Sequence, residues 1–154
     1  MNDLPTRLTR NSMIDAYLLQ LQELSGKLVT ESDLSSVGEV EKIKAGTETL
    51  ASQAKTVLNL KLSDLYSRRF SDYISRLRDA NPGTVYIWLH ATNSCGVLSV
   101  PSIADINFTF AHEKIPEGVI VLLAADFGGR VLLDFDADAV EIEVQGDSWS
   151  DVKF

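Results

Sequence analysis

The chain has 154 residues, 45% hydrophobic and 23% charged, with 9 Gly and 4 Pro, a balance that builds a buried core and excludes extensive disorder. The formal charge is −8, and the excess falls after residue 80: residues 1–80 hold 11 basic and 11 acidic side chains, residues 81–154 hold 3 and 11. An acidic half of this kind repels phosphate backbones, which speaks against nucleic acid as a partner, and attracts a basic protein or a cation.

At the N-terminal end, Ile14, Tyr17, Leu18 and Leu21 are interrupted by Asp15, Gln20 and Gln22, so no signal-peptide core is expected. No run of about 18 apolar residues occurs, so no membrane partner is expected either. The expected location is cytoplasmic. Ile14, Tyr17, Leu18, Leu21, Leu24 and Leu28 recur at spacings of three and four, which predicts an amphipathic helix over 12–29. Ser12, with Asp15 three residues on, resembles a capping box at its start. The helical period returns from Val37 to Leu77 through Val40, Ile43, Leu50, Ala54, Val57, Leu62, Tyr66, Phe70 and Tyr73. One helix of that length would run about 60 Å, too long for one small domain. Breaks are therefore expected at Gly46-Thr47 and Ser63-Asp64.

Asn81-Pro82-Gly83 marks a change of period from 3.6 to 2. Beyond it, residues 84–91, 106–110, 119–125, 130–135 and 140–144 read as strands, with a short one at 97–100. Phe127-Gly128-Gly129 reads as a hairpin turn. The links between strands are short, so the sheet is expected to be mostly antiparallel. Residues 119–125, VIVLLAA, are apolar on both faces, as befits a central strand covered by helices. The fold class is α+β: three to four helices packed on a mostly antiparallel sheet of five to six strands. A single domain, 1–154, is expected, with a helical half (1–80), a sheet half (84–146) and a tail (147–154).

The stretch 128–146, GGRVLLDFDADAVEIEVQG, holds five carboxylates and one cation, Arg130. A turn at Ala137-Asp138 would set Asp134 opposite Glu141, a like-charge pairing that destabilises a hairpin by a few tenths to about 1 kcal/mol. A solvated face that guards an edge hairpin is one reading. A face that docks a basic protein is another. A cation site is a third: Asp134, Asp136 and Asp138 match the first ligand positions of an EF-hand loop, but Ala139 stands where Gly is needed and Gln145 where a bidentate Glu is needed.

Cys95 is the only cysteine, so neither an internal disulfide nor a cysteine zinc cluster can form. It follows a strand in HATNSCG, with His90 upstream and His112 downstream. Those residue types, with Asn93 or Asp105 to orient a base, could build a cysteine nucleophile. A small packing residue is the competing reading. No phosphate-binding loop, dinucleotide fingerprint or serine elbow is present, and no cofactor or metal is expected. Arg68, Arg69, Arg76 and Arg78 read as a solvated helix face, with Arg68–Asp72 and Arg76–Asp79 pairs. Tyr66, Phe70, Tyr73 and Trp88 read as core. Trp149 and Phe154, in a polar tail, either fold back or contact another chain.

Size, acidity, the absence of catalytic motifs and the α+β layout resemble those of many bacterial immunity proteins, which bind and neutralise a cognate toxin. The segment 128–135, GGRVLLDF, resembles a glycine-then-Leu-Asp strand of some of those families, over those residues alone. The resemblance implies a non-enzymatic inhibitor of a basic protein such as a nuclease toxin. Asp134, Asp136, Glu141 and Glu143 would supply the charge and Trp149 an anchor. A small cysteine enzyme built on Cys95 with His90 or His112, and a subunit that dimerises through Val37–Leu77, are the alternatives. The oligomeric state is open.

Overall fold

A computed structural model describes residues 3–110, 112–115 and 118–154, and side chains from residue 10 onward. Helix α1 spans Asp3–Ser25, α2 Val37–Gly46, α3 Arg68–Ala80 and the single turn α4 Thr92–Cys95. Six strands, β1 Lys55–Lys61, β2 Val85–Trp88, β3 Leu98–Val100, β4 Val119–Ala124, β5 Arg130–Phe135 and β6 Ala139–Gln145, form one sheet in the order β1-β6-β5-β4-β2-β3. Every pairing is antiparallel. No helix of the described residues is long and apolar enough to cross a membrane.

Alternation along the strands gives the sheet two faces. The inner face carries Ile120, Leu122, Val131, Leu133, Val140, Ile142 and Val144 into the main core. Helix α1 supplies Ile14, Tyr17, Leu21 and Leu24 to that core, and α3 supplies Phe70, Tyr73, Ile74 and Leu77. Helix α2 lies on the opposite, outer face, where Val40 and Ile43 join Leu50, Val97 and Leu123 in a smaller core. Tyr86, Trp88 and Phe127 pack at its margin. The outer face is thus covered at one end and open at the other.

Helix α1 begins well before the predicted start, so Ser12 lies mid-helix and not at the helix start. It ends at Gly26, whose φ of +67° suits glycine; Leu28 therefore leaves the helical stripe and is exposed. Helix α2 stops at Gly46 as its sequence suggests, and a tighter turn, Thr47–Ser52, follows it. The Ser63-Asp64 cap is displaced. Asp64 Oδ2 accepts from Lys61 N (2.9 Å), and Ser67 Oγ accepts from Phe70 N (3.1 Å) to start α3.

Two segments differ from expectation. KTVLNLK, read as part of a helical stretch, is the edge strand β1, in register with the whole of β6 from Lys55↔Gln145 to Lys61↔Ala139. The helical half therefore contributes a strand, and Val37–Leu77 is two helices on opposite faces of the sheet. INFTF, read as a strand, is not one. Its alternation is real, with Ile106, Phe108 and Phe110 buried, but Asn107 N donates to Leu24 O (2.7 Å) and Asn107 Nδ2 to Glu23 O (3.1 Å). The segment satisfies the end of α1 in place of a neighbouring strand.

Residues 147–154 are part of the fold. Trp149 is fully buried, and its Nε1 donates to Leu77 O at 2.9 Å. A Cβ at Gly129 would stand 2.5 Å from the indole, so only glycine lets the ring lie against the β4–β5 turn. Phe154 meets Tyr73 edge to face at 5.4 Å, beneath the Arg69 guanidinium at 4.2 Å.

Candidate functional site: the outer sheet face

The hairpin β5–β6 turns through Asp136, Ala137 and Asp138 and pairs Asp134 with Glu141, as the alternation demands. The exposed Lys61, opposite Ala139, begins the outer face at the hairpin-tip end, and three cross-sheet rows follow it. Asn59, Glu141, Asp134 and Val119 form the first of these rows. Val57, Glu143, Leu132, Val121 and Trp88 form the middle one. Lys55, Gln145, Arg130, Leu123 and Tyr86 form the third, which α2 and the turn after it partly cover.

The carboxylates divide among these rows. Asp134, Asp136, Asp138 and Glu141 are exposed, and none of them has an ion pair among the described residues. Glu143 is less exposed and pairs with Lys55 Nζ at 3.3 Å. Asp136 Oδ1 accepts from Ala137 N (2.8 Å), which tightens the turn. Val57 and Val119 are exposed apolar side chains beside them, at 44% and 36%. Among the described residues no group of three or more His, Cys, Asp or Glu is placed to hold a metal ion; the three aspartates of the hairpin do not converge.

Arg130 does not balance these acids. It lies in the covered row, and its NH2 donates to Gln145 Oε1. Gln145 is itself buried, and its Nε2 donates to Leu50 O (2.5 Å) and Gln53 O (3.3 Å). Arg130 is close to the carboxylates in sequence, but the register places it two rows from the Asp134–Glu141 pair.

Trp149, expected as a partner anchor, has no accessible surface. It is a core residue of this chain, because its ring fills the space over Gly129 and its N–H finds an acceptor in Leu77 O, which also accepts from Asn81 N (3.0 Å). Tyr66, expected in the core, is 72% exposed, at the end of the turn Leu62–Tyr66. Trp88 is half-buried on the outer face.

Cys95 is fully buried in α4. Burial pushes its thiol up, against a smaller opposing effect of Arg10, whose NH1 donates to Cys95 O (2.7 Å). Tyr17 Oη donates to Gly96 O (2.6 Å) and shares a hydrogen bond with Thr92 Oγ1 (2.9 Å), which accepts from Leu89 N (2.8 Å). These bonds fasten α1 to α4. No histidine hydrogen-bonds Cys95 among the described residues: His90 is exposed, and His112 stacks on Phe135 at 5.8 Å. The stretch AHEKIPEG around His112 reads in sequence as an exposed turn, and its residues 111, 116 and 117 lie outside the described residues.

The arginines of α3 act partly as anticipated. Arg68 pairs with Asp72 at 3.9 Å, but Arg78, not Arg76, pairs with Asp79, at 3.1 Å. Arg76 NH2 instead donates to Lys153 O at 2.7 Å, a tail contact that no local spacing reveals.

Fold and face together define an α+β protein with one six-stranded antiparallel sheet, half open on its acidic outer side. No family model matches the chain, and neither a curated protein nor a solved structure matches it.

Proposed function

We propose that the chain is a non-enzymatic binding protein whose acidic hairpin face takes a basic protein, most concretely a bacterial toxin that it neutralises. The observation that carries this reading is the direct pairing of Asp134 with Glu141, both exposed and neither in an ion pair among the described residues. Such a pairing costs the hairpin stability, and a lysine- or arginine-rich surface would turn that cost into attraction. Asp136 and Asp138 extend the field at the tip. Charges of this kind raise the association rate and occupy a surface otherwise open to phosphates. Glu143, already held by Lys55, contributes less. Val57 and Val119 supply apolar contact beside the charges. The Cys95 thiol is buried, and no base hydrogen-bonds it among the described residues, so it lends no support to nucleophilic chemistry.

The test is affinity capture from native-cell extract with wild type and the Asp134→Asn, Asp136→Asn, Glu141→Gln, Glu143→Gln variant as paired baits. The retained protein is then purified for stopped-flow association. One basic protein should be retained by wild type, with an association rate that falls steeply as salt rises and that the variant lowers at least about tenfold. Equal rates and equal salt dependence for the two baits would refute the reading, as would failure of wild type to retain any basic protein.

A further inference from the structure

A cleft of about 210 Å³ opens on the outer face where the end of α2 stands over β2, β4 and β5, lined by Lys44, Thr47, Trp88, Asn93, Val121 and Arg130 among others. No carboxylate lines it. That is notable in a chain of charge −8, because the cleft gathers two cations. Lys44 is exposed and Arg130 half-buried, and neither has an ion pair among the described residues. A partly desolvated guanidinium without a counter-ion is costly unless something answers it.

The surroundings maintain this arrangement. Glu143, one pair along β6, is held by Lys55 at 3.3 Å. Gln145, whose amide nitrogen is committed to Leu50 O and Gln53 O, turns its oxygen to Arg130 NH2. Gln145 thus orients the guanidinium and leaves its other N–H groups free to donate. The Thr47 hydroxyl already donates to Lys44 O (2.7 Å), so the donors left for a ligand are Arg130, Lys44 and the exposed Asn93 amide. Trp88 and Val121 offer apolar surface beside them.

We propose that this cleft binds a small ligand that carries one carboxylate and one aromatic ring. The carboxylate meets the Arg130 fork, the geometry that a guanidinium matches best, and the ring lies against Trp88. The carboxylate comes from a free aromatic acid or from an aromatic residue at a polypeptide C-terminus. The site stands apart from the acidic hairpin and does not depend on the function proposed for it.

The test is a 1H–15N NMR titration with benzoate, N-acetylphenylalanine, benzyl alcohol, benzylammonium and acetate. Benzoate should shift the Trp88 indole N–H and the Asn93 side-chain amide in a saturable way. Benzyl alcohol and acetate should bind at least about tenfold more weakly, as expected when a charge-assisted hydrogen bond or the ring contact is lost, and benzylammonium should not bind. Tighter binding of N-acetylphenylalanine than of benzoate assigns the C-terminal source, and the reverse assigns the free acid. Arg130→Gln should weaken benzoate at least about tenfold, Arg130→Lys less, and the exposed Lys44→Gln a few-fold. Lys44→Gln keeps the test valid if Arg130→Gln perturbs the fold. Asp134→Asn with Glu141→Gln should leave benzoate affinity unchanged. No saturable shift, equal binding of benzyl alcohol and benzoate, or affinity unaffected by both Arg130→Gln and Lys44→Gln would overturn the proposal.

Discussion

Neutralising one member of the Asp134–Glu141 pair should stabilise the protein, and the size of the gain follows from the register. Directly opposed residues have Cβ atoms about 4.5–5.5 Å apart. Taking the exposed carboxylates as about 6 Å apart in water, their repulsion is about 0.7 kcal/mol before screening. A Debye length of about 30 Å at 0.01 M salt leaves about 0.6 kcal/mol, and one of about 3 Å at 1 M leaves about 0.1 kcal/mol. Asp134→Asn and Glu141→Gln should each raise stability by the low-salt amount, with a midpoint shift of about 1–2 °C for a chain of this length. The double variant should gain no second increment from this pair. Urea denaturation of wild type, both single variants and the double, at low and high salt, isolates the coupling as a double-mutant cycle. A coupling that is zero, attractive or independent of salt would refute the argument from register, and with it the claim that the hairpin bears an uncompensated charge cost.

Three further outcomes test other parts of the structure. Trp149→Phe keeps most of the buried ring but removes one of the two bonds to Leu77 O, which still accepts from Asn81 N at 3.0 Å, and should cost about 0.5–1.5 kcal/mol in denaturant unfolding; a neutral result would place the indole outside the core. The protons of the Cys95 thiol and of the Tyr17 and Tyr73 phenols are held more tightly when folded, chiefly because burial disfavours their ionised forms, with Tyr73 pushed up to about 12. The unfolded chain therefore loses these protons first. The contribution of these groups should be constant below the ordinary thiol range near pH 8.5 and should fall as pH rises first through that range and then through the ordinary phenol range near 10. Reaction of native Cys95 with a thiol reagent should be far slower than that of the unfolded chain from pH 7 to 9. Fast native labelling would contradict its burial.

Periodicity made much of this fold legible. The α1 stripe through Ile14, Tyr17, Leu21 and Leu24, the switch of period at Asn81-Pro82-Gly83, and the turn that sets Asp134 opposite Glu141 are local consequences of side-chain spacing. One-dimensional spacing did not decide which apolar segment finds which partner. KTVLNLK alternates correctly for a strand but sits inside a run of helix-like spacings, and only β6, far along the chain, gives its backbone a ladder. INFTF alternates equally well and forms no strand, because the end of α1 takes its hydrogen bonds. The candidate sites divide in the same way. The carboxylate pairing could be read from alternation, since successive strand residues must point to opposite faces. The burial of Trp149 and the cleft around Arg130 could not, because they join α2, α4, three strands and the tail across long sequence separations. Local chemistry determined the elements and one charged hairpin; packing decided which charges were compensated, which aromatics were buried and where a cationic cleft lies in an acidic protein.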